Sequence, residues 1–545
     1  MTTNPDPFDG TLFDPSAFTS PSPAPKRGRS VRSSQFPPTQ EQQAILDAVA
    51  DGKTTAISAG AGTGKTSTLR MIAEARPEAK MLYIAYNKAI QVEAANSFPK
   101  NVTAKTAHAL AYRKFGVPMR ARLFGRRIRL GETAEILGID SDLILGKGAD
   151  GKARVLSPVQ QVKLVMQAVD RFCHSADPEI TVRHLQPPVG LTLAETAIIE
   201  DHLLPFVMKA WADLTSGPYG QCRPTHDVYL KQWQLAKPDL TGFDAILYDE
   251  AQDADPVIAD VVERQHHLQI IAVGDENQAI YGWRGAGSFL QQVNAAHRLR
   301  LTQSWRFGDA IAREANTWLG VIGTDMRLTG DPQRQSKLES LVDPDAVLCR
   351  SNAGTIMELL DAHAAGKRVH LVGDGTRMNE LAHAAQRLMD GEPSGSLELA
   401  AFTSWSEVVE YVENDPGGAD LAIEVHLIQR YGPPAIIDAI KGTVSQREAE
   451  LVVSTAHKGK GLEWGRARIA NDFTEPIDTM TGEPLPISDS EAMLAYVAVT
   501  RAKNTLDADG LAWVHDHMAR LRSHKEEDAD WTSWLRRYRG ETPST

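Results

Sequence analysis

Ala59-Gly60-Ala61-Gly62-Thr63-Gly64-Lys65-Thr66 is the stretch that decides the fold. It follows the apolar, β-branched run Thr54–Ser58 and precedes the helical pattern Ser67–Ala75. Small residues let the backbone curl tightly, so that successive N–H groups face phosphate oxygens while the following helix adds the positive end of its dipole. Lys65 is placed to reach the β- and γ-phosphates, and the Thr66 hydroxyl suits a magnesium ion. The first position is Ala59, where the strict pattern has glycine. The strand, loop and helix together predict a phosphate-binding loop that uses ATP and Mg2+.

Such a loop needs a carboxylate at the end of a neighbouring strand to hold the metal, and a base to orient water. Ala245-Ile246-Leu247-Tyr248-Asp249-Glu250-Ala251-Gln252-Asp253 supplies both, with Asp249 at the metal and Glu250 as the water-polarising residue. Lys65 and Asp249 lie much farther apart in sequence than a few strand–helix units require. A helical insertion accounts for the excess. Between about Tyr112 and His226 the strand signal fades and helical spacing takes over, as in Val162, Val165, Val169 and Phe172, preceded by Ser157 as helix cap and Pro158 at the first helical position.

Further runs that read as buried strands are Met81–Ala85, Ile270–Val273, Ala346–Cys349, Val369–Val372 and Leu451–Thr455. Their alternation with helical patterns predicts parallel-sheet α/β architecture. A second region poor in strand signal spans about 373–450. Residues 1–35 are rich in Pro, Ser and Asp, carry the basic cluster Lys26, Arg27, Arg29 and Arg32, and read as a disordered tail.

The 545-residue length allows about three to five structural units. Lysine and arginine number 58 against 70 aspartates and glutamates, a net charge of −12, so nucleic acid can be held only by a local basic channel. Three scattered cysteines, Cys173, Cys222 and Cys349, fit neither a disulfide framework nor a spaced zinc site. Neither a long apolar span nor a secretion signal is evident. These features predict a soluble intracellular protein without a membrane partner; the compartment expected for it is the cytoplasm or nucleoid of a bacterial or phage-infected cell.

In order along the chain, the motifs resemble those of the UvrD/PcrA-like DNA helicases of superfamily 1, and within them the F-box DNA helicase branch. Thr39-Gln40-Glu41-Gln42-Gln43-Ala44-Ile45 resembles the adenine-reading Q motif, with Gln42 as reader. Tyr83–Ala89, containing Tyr86, Asn87 and Lys88, and Thr106–Ala111, containing Thr106 and His108, resemble the single-strand-binding motifs Ia and Ib. Val273-Gly274-Asp275-Glu276-Asn277-Gln278-Ala279-Ile280-Tyr281-Gly282-Trp283-Arg284-Gly285-Ala286 is similar to motif III. There the resemblance puts Gln278 on the γ-phosphate, with Tyr281 and Trp283 on DNA. An indole face binds any base without reading sequence.

Leu301–Phe307 resembles motif IV, which implies that Trp305 faces adenine, in place of the usual Tyr, and that Arg306 contacts the γ-phosphate. Val453–Trp464 resembles motif V, with Thr455, His457 and Lys458 on DNA and Glu463 on ribose. Leu494–Ala502 resembles motif VI, with Arg501 as a second arginine finger, and Asn352 follows a strand as an accessory DNA contact does. No F-box pattern is evident upstream of Gln42, so adaptor recruitment is not implied. No nuclease constellation follows motif VI.

The resemblance implies two RecA-like P-loop lobes: 36–111 with 226–305, and 306–372 with 450–545. The first carries a helical insertion over 112–225, the second a reduced insertion over 373–449. It further implies a DNA-dependent ATPase that moves 3′ to 5′ on single-stranded DNA and separates strands at single-strand/duplex junctions, alongside replication or recombination proteins. Two alternatives are a translocase that mainly displaces bound proteins and a non-motor DNA-binding protein switched by ATP. The second would lack one or more catalytic groups, whereas Lys65, Glu250, Gln278, Arg306 and Arg501 are all present.

Overall fold

The computed structural model describes residues 37–147, 153–187, 191–280, 288–373, 375–392, 394–396, 399, 402, 404–414, 421–478 and 480–527. The expected tail over 1–35 lies outside them, as do Tyr281 and Trp283. The chain divides into two compact units with a sequence boundary between Thr302 and Gln303, so Trp305 belongs to the second unit rather than closing the first.

The first unit contains β1 (Thr55–Ala59), β2 (Met81–Ala85), β3 (Val102–Thr106), β4 (Leu143–Lys147), β5 (Ala153–Leu156), β6 (Ala245–Tyr248), β7 (Gln269–Gly274) and β8 (His297–Leu301). Six of these form one parallel sheet in the order β3-β2-β6-β7-β1-β8. Its inner strands are continuous apolar runs because both faces are covered. Tyr83, Leu247, Ile57 and Val273 join Leu69 and Ile72 of the phosphate-loop helix on one side. Leu82, Ile84, Ile246 and Ala272 join Val162, Val165 and Leu203 of the insertion on the other.

The insertion therefore shares the lobe's core. Its helix Pro158–Cys173 begins as expected, with Ser157 and Gln160 in a reciprocal capping box and Pro158 at the first turn. It is not wholly helical: β4 and β5 pair as an antiparallel hairpin. The signal was an Asp150-Gly151 pair between two short apolar runs, weak beside the flanking helical periods.

The second unit contains β9 (Lys337–Leu338), β10 (Ala346–Cys349), β11 (Val369–Leu371), β12 (Leu451–Thr455), β13 (Trp464–Ile469) and β14 (Ala502–Asp507), a parallel sheet in the order β11-β12-β10-β13-β14-β9. These sheets are the two RecA-like lobes. The region poor in strand signal is helical in its described part, over Thr376–Met389, Trp405–Asn414, Ala422–Tyr431 and Pro433–Lys441. Leu381, Ala385, Val425, Ile428 and Ile436 from these helices pack in one core with Val347, Cys349 and Val453 of the sheet. Among the described residues no helix is long and apolar enough to cross a membrane.

Two glycines position the segment that follows Arg306. A methyl group on Gly330 would overlap the backbone of Gly308 and Asp309, and one on Gly308 would overlap the Arg334 carbonyl. Gly330→Ala is expected to destabilise the second lobe by about 1–3 kcal/mol, the usual cost of overpacking, as read by a lower denaturant midpoint. An unchanged midpoint would show that the approach of these two backbones is not needed.

Candidate nucleotide site and nucleic-acid interface

Loops outside the carboxyl ends of parallel strands are where an open α/β sheet binds ligands. In the first lobe the adjacent strands β6, β7 and β1 end there, delivering Asp249, Asp275 and the phosphate loop side by side. The loop turns through left-handed backbone at Gly62 (φ 73°) and Gly64 (φ 84°), where a side chain would be strained. The Thr63 hydroxyl donates to the Gly60 carbonyl at 2.9 Å, and the Gly60 N–H donates to Leu301 of β8 at 3.0 Å. Both bonds hold the loop's curl against the sheet.

The charged groups meet within this rim. Lys65 Nζ lies 3.1 Å from Glu250 Oε2, and the Thr66 hydroxyl donates to Asp249 Oδ2 at 3.0 Å. Tyr83, pointing from β2, donates its hydroxyl to the same Asp249 oxygen at 2.9 Å. Burial opposes the charge on Lys65, yet Glu250, Asp275 and Asp249 together hold its pKa above the ordinary lysine value. Burial and the neighbouring Glu250 carboxylate push Asp249 up, against the pull of Lys65 and the hydroxyls of Tyr83 and Thr66. A divalent cation beside Asp249 would relieve that repulsion, which fits the donor set to Mg2+.

Glu250 is aimed by its backbone. Its φ of 52° and ψ of 39° are left-handed, and among the described residues only Lys237 is another non-glycine with positive φ. Such a conformation costs about 1–3 kcal/mol and persists where surrounding structure imposes it. Gln252 supplies that restraint: its amide N donates to Glu250 Oε2 at 2.7 Å and to Asp253 Oδ2 at 2.9 Å, while its oxygen accepts from the Asp275 N–H at 3.0 Å. Gly274 has no side chain because one would overlap the Gln252 amide. Gln278 donates to Asp275 Oδ2 at 2.8 Å, so the expected γ-phosphate sensor is joined to Glu250 through Asp275 and Gln252. Tyr83, Gln252 and Asp275 lie within the quoted motifs, but their residue types alone give no sign of these roles.

Gln42 caps its own helix, accepting from the Thr39 N–H at 3.0 Å, and donates to Thr68 of the phosphate-loop helix at 3.2 Å. The expected adenine reader is thus tied to the loop that would hold the phosphates. The described first-lobe residues expected on DNA lie at or just beyond the carboxyl ends of β2 and β3. Tyr86 is half exposed. Asn87 caps the helix Lys88–Ser97, Lys88 reaches Gln91 at 2.7 Å, and Thr106 caps the short helix Ala107–Ala111. His108 Nε2 lies 3.2 Å from Asp227.

The second lobe sorts its residues onto opposite ends of its strands. Asn352 follows the carboxyl end of β10; Thr455 is the last residue of β12, and His457 and Lys458 follow it. Thr455 accepts from the Lys458 N–H at 3.2 Å, and burial followed by the Arg350 charge lowers the His457 pKa. Glu463 and Arg501 instead precede the amino ends of β13 and β14. Arg306 joins them, donating to Glu463 at 2.9 Å and to the Thr500 carbonyl at 3.1 Å. Lys503 pairs with the other Glu463 oxygen at 2.7 Å. Burial acts against the Glu463 charge, but Lys503 and Arg306 hold its pKa below the ordinary value. Arg501 is 1% exposed and donates to the Val497 carbonyl and the Thr500 hydroxyl, each at 2.9 Å. Trp305 is 42% exposed beside this group in sequence.

A family profile described as an AAA domain matches residues 41–284, the span from the Gln42 helix through the Asp275 loop. F-box DNA helicase protein 1 of Schizosaccharomyces pombe is 28% identical over 506 residues, covering 86% of this chain and 57% of that protein. F-box DNA helicase 1 of Gallus gallus is 31% identical over 505 residues, covering 86% of this chain and 48% of that protein. The chain is similar to UvrD-like superfamily 1 helicases. The RecBCD subunit RecB of Mycobacterium tuberculosis is a more distant match, 26% identical over 340 residues and 49% of this chain, 30% of that protein. The chain spans about half the length of the F-box relatives it matches.

Tyr83→Phe removes one hydroxyl from Asp249 without changing the ring. A hydrogen bond to a charged group contributes about 1.5–3 kcal/mol, so Mg2+-dependent binding of an ATP analogue is expected to weaken by roughly ten-fold or more. Unaltered Mg2+ dependence would detach Asp249 from the metal.

Proposed function

We propose that the chain is an ATP-dependent DNA helicase or translocase that moves 3′ to 5′ on single-stranded DNA. The observation that carries this reading is the cluster at the ends of β1, β6 and β7, where Thr66 meets Asp249 at 3.0 Å and Lys65 meets Glu250 at 3.1 Å. Those pairs are the parts needed for phosphoryl transfer to water: a metal holder, a phosphate cation and a base. The similarity to proteins named DNA helicases supports DNA as the substrate.

In this reading ATP displaces Glu250 from Lys65, so that the ammonium turns to the phosphates and the carboxylate becomes available to water. Thr66 and Asp249 would hold Mg2+, which would supply charge neutralisation on the phosphate oxygens. Gln278 senses the γ-phosphate and shares its state with Glu250 through Asp275 and Gln252. Arg306 and Arg501 are the arginines proposed for charge developing on the γ-phosphate oxygens, where positioned cations give large rate gains. Trp305 and Glu463 serve adenine and ribose. Asn87, Lys88, Thr106, His108, Asn352, Thr455, His457 and Lys458 serve the strand, with Tyr86, Tyr281 and Trp283 as stacking surfaces.

A second reading, a translocase that mainly strips bound proteins, draws on one observation. The described helices over 376–441 share the core of the second sheet, so they lend little surface to a separate duplex-gripping domain. Comparing duplex unwinding with protein displacement at equal ATPase rate separates the two readings.

Lys65→Ala and Glu250→Gln are each expected to abolish DNA-stimulated ATP hydrolysis while leaving the fold intact; near-normal turnover in either would sink the assignment. Strand displacement on duplexes with a 3′ or a 5′ tail, with RNA-tailed controls, is expected to require a 3′ DNA tail. Trp283→Ala should weaken single-strand binding by about 1–3 kcal/mol, or roughly 5- to 150-fold, with basal ATP affinity unchanged. Loss of ATP affinity alone would remove Trp283 from DNA.

A further inference from the structure

A line of alternating histidines and aspartates runs through the first lobe outside the nucleotide cluster. It begins at His108, on the short helix after β3, whose Nε2 lies 3.2 Å from Asp227 Oδ1. The other Asp227 oxygen lies 4.0 Å from His174 Nε2, which also faces Asp170 at 3.8 Å. His174 Nδ1 bonds Asp255 Oδ2 at 2.9 Å. Asp255 Oδ1 caps the helix Pro256–Glu263 by accepting from the Val257 N–H at 2.8 Å.

Each member sits on a different element. His174 ends the insertion helix Pro158–Cys173, Asp227 lies on the helix His226–Leu235 that leads back to the sheet, and Asp255 stands two residues beyond Asp253. Asp253 accepts from the Gln252 amide that also holds Glu250. From the residue expected on DNA to the residue expected to polarise water, every step is a side-chain contact or a two-residue length of backbone. The hydrogen bond to Asp255, opposed by burial and supported by Asp227 and Asp170, holds His174 charged with a pKa of about 9, so both its nitrogens carry protons at neutral pH.

We propose that Asp227 and His174 are positioning residues that couple strand occupancy at His108 to the setting of the Asp253–Glu250 loop, and hence to hydrolysis. The proposal rests on the functional reading above. A strand pressing on His108 moves Asp227, to which the charged imidazole of His174 is drawn; His174 carries Asp255 and the first turn of its helix, and with them the backbone from which Gln252 aims Glu250. The insertion thereby becomes part of the transmission, because it supplies His174.

The test uses the full chain and oligo-dT, measuring ATP turnover against oligonucleotide concentration for wild type, Asp227→Asn, His174→Gln and the double variant. The expected result is a fall of about five-fold or more in the maximal stimulated rate in either single variant, with the DNA-free rate and the half-saturating oligo-dT concentration within about two-fold of wild type. The double variant should lose no more than the worse single one, as members of one pathway do. Unchanged stimulation in the single variants, a loss confined to half-saturation, equal loss of basal and stimulated rates, or losses that multiply would each overturn the relay. A wild-type chain whose hydrolysis ignores DNA would overturn the functional reading, and the relay with it.

Discussion

Three carboxylates, Asp249, Glu250 and Asp275, face one largely buried ammonium at Lys65, and this imbalance of negative charge is the constraint on which the site depends. Parallel strands in the order β6-β7-β1 concentrate the ends of three loops in one place, and the sequence puts acids on two of them. A cluster of that sign is costly when empty and favourable around a cation, which fits the Mg2+ and nucleotide proposed for it. The left-handed Glu250 backbone and the shared Gln252 amide hold the Glu250 carboxylate in place within that cluster.

The second lobe meets a different constraint. Arg306, Arg501 and Lys503 gather near one end of its sheet, and Glu463 answers two of them. The residues expected on the strand stand at the other end of the sheet, after β10 and β12. A parallel sheet with distinct chemistry at its two ends can serve two ligands without either displacing the other. The acidic overall balance fits this economy: basic groups such as Lys88 and Lys458 are placed locally, so the outer surface need not hold nucleic acid by bulk charge.

Much of this was legible in the sequence because buried parallel strands are continuous apolar runs. β2, β10 and β12 match the expected limits, and the phosphate loop and acidic strand end stood out by residue type. The edge strands of the first sheet, β3 and β8, were not legible. Val102-Thr103-Ala104-Lys105-Thr106 and His297-Arg298-Leu299-Arg300-Leu301 alternate polar with apolar residues because one side faces water, and that pattern is too short to separate from loop. Trp464-Gly465-Arg466-Ala467-Arg468-Ile469 is an interior strand disguised by arginines that pair with Asp345 and Glu358. The support of the site was hidden for another reason. Tyr83 reads as an ordinary strand aromatic until its hydroxyl is seen at Asp249, and nothing in the spacing of His108, His174, Asp227 and Asp255 announces that they meet.

Nucleotide is expected at the ends of β1, β6 and β7. Amide hydrogen exchange on the full chain, with and without Mg2+ and a non-hydrolysable ATP analogue, addresses that placement most directly. The prediction is slowed exchange over residues 60–66, 249–253 and 274–278 that requires Mg2+ and nucleotide together. Protection confined to other segments, or the same protection without Mg2+, would contradict it.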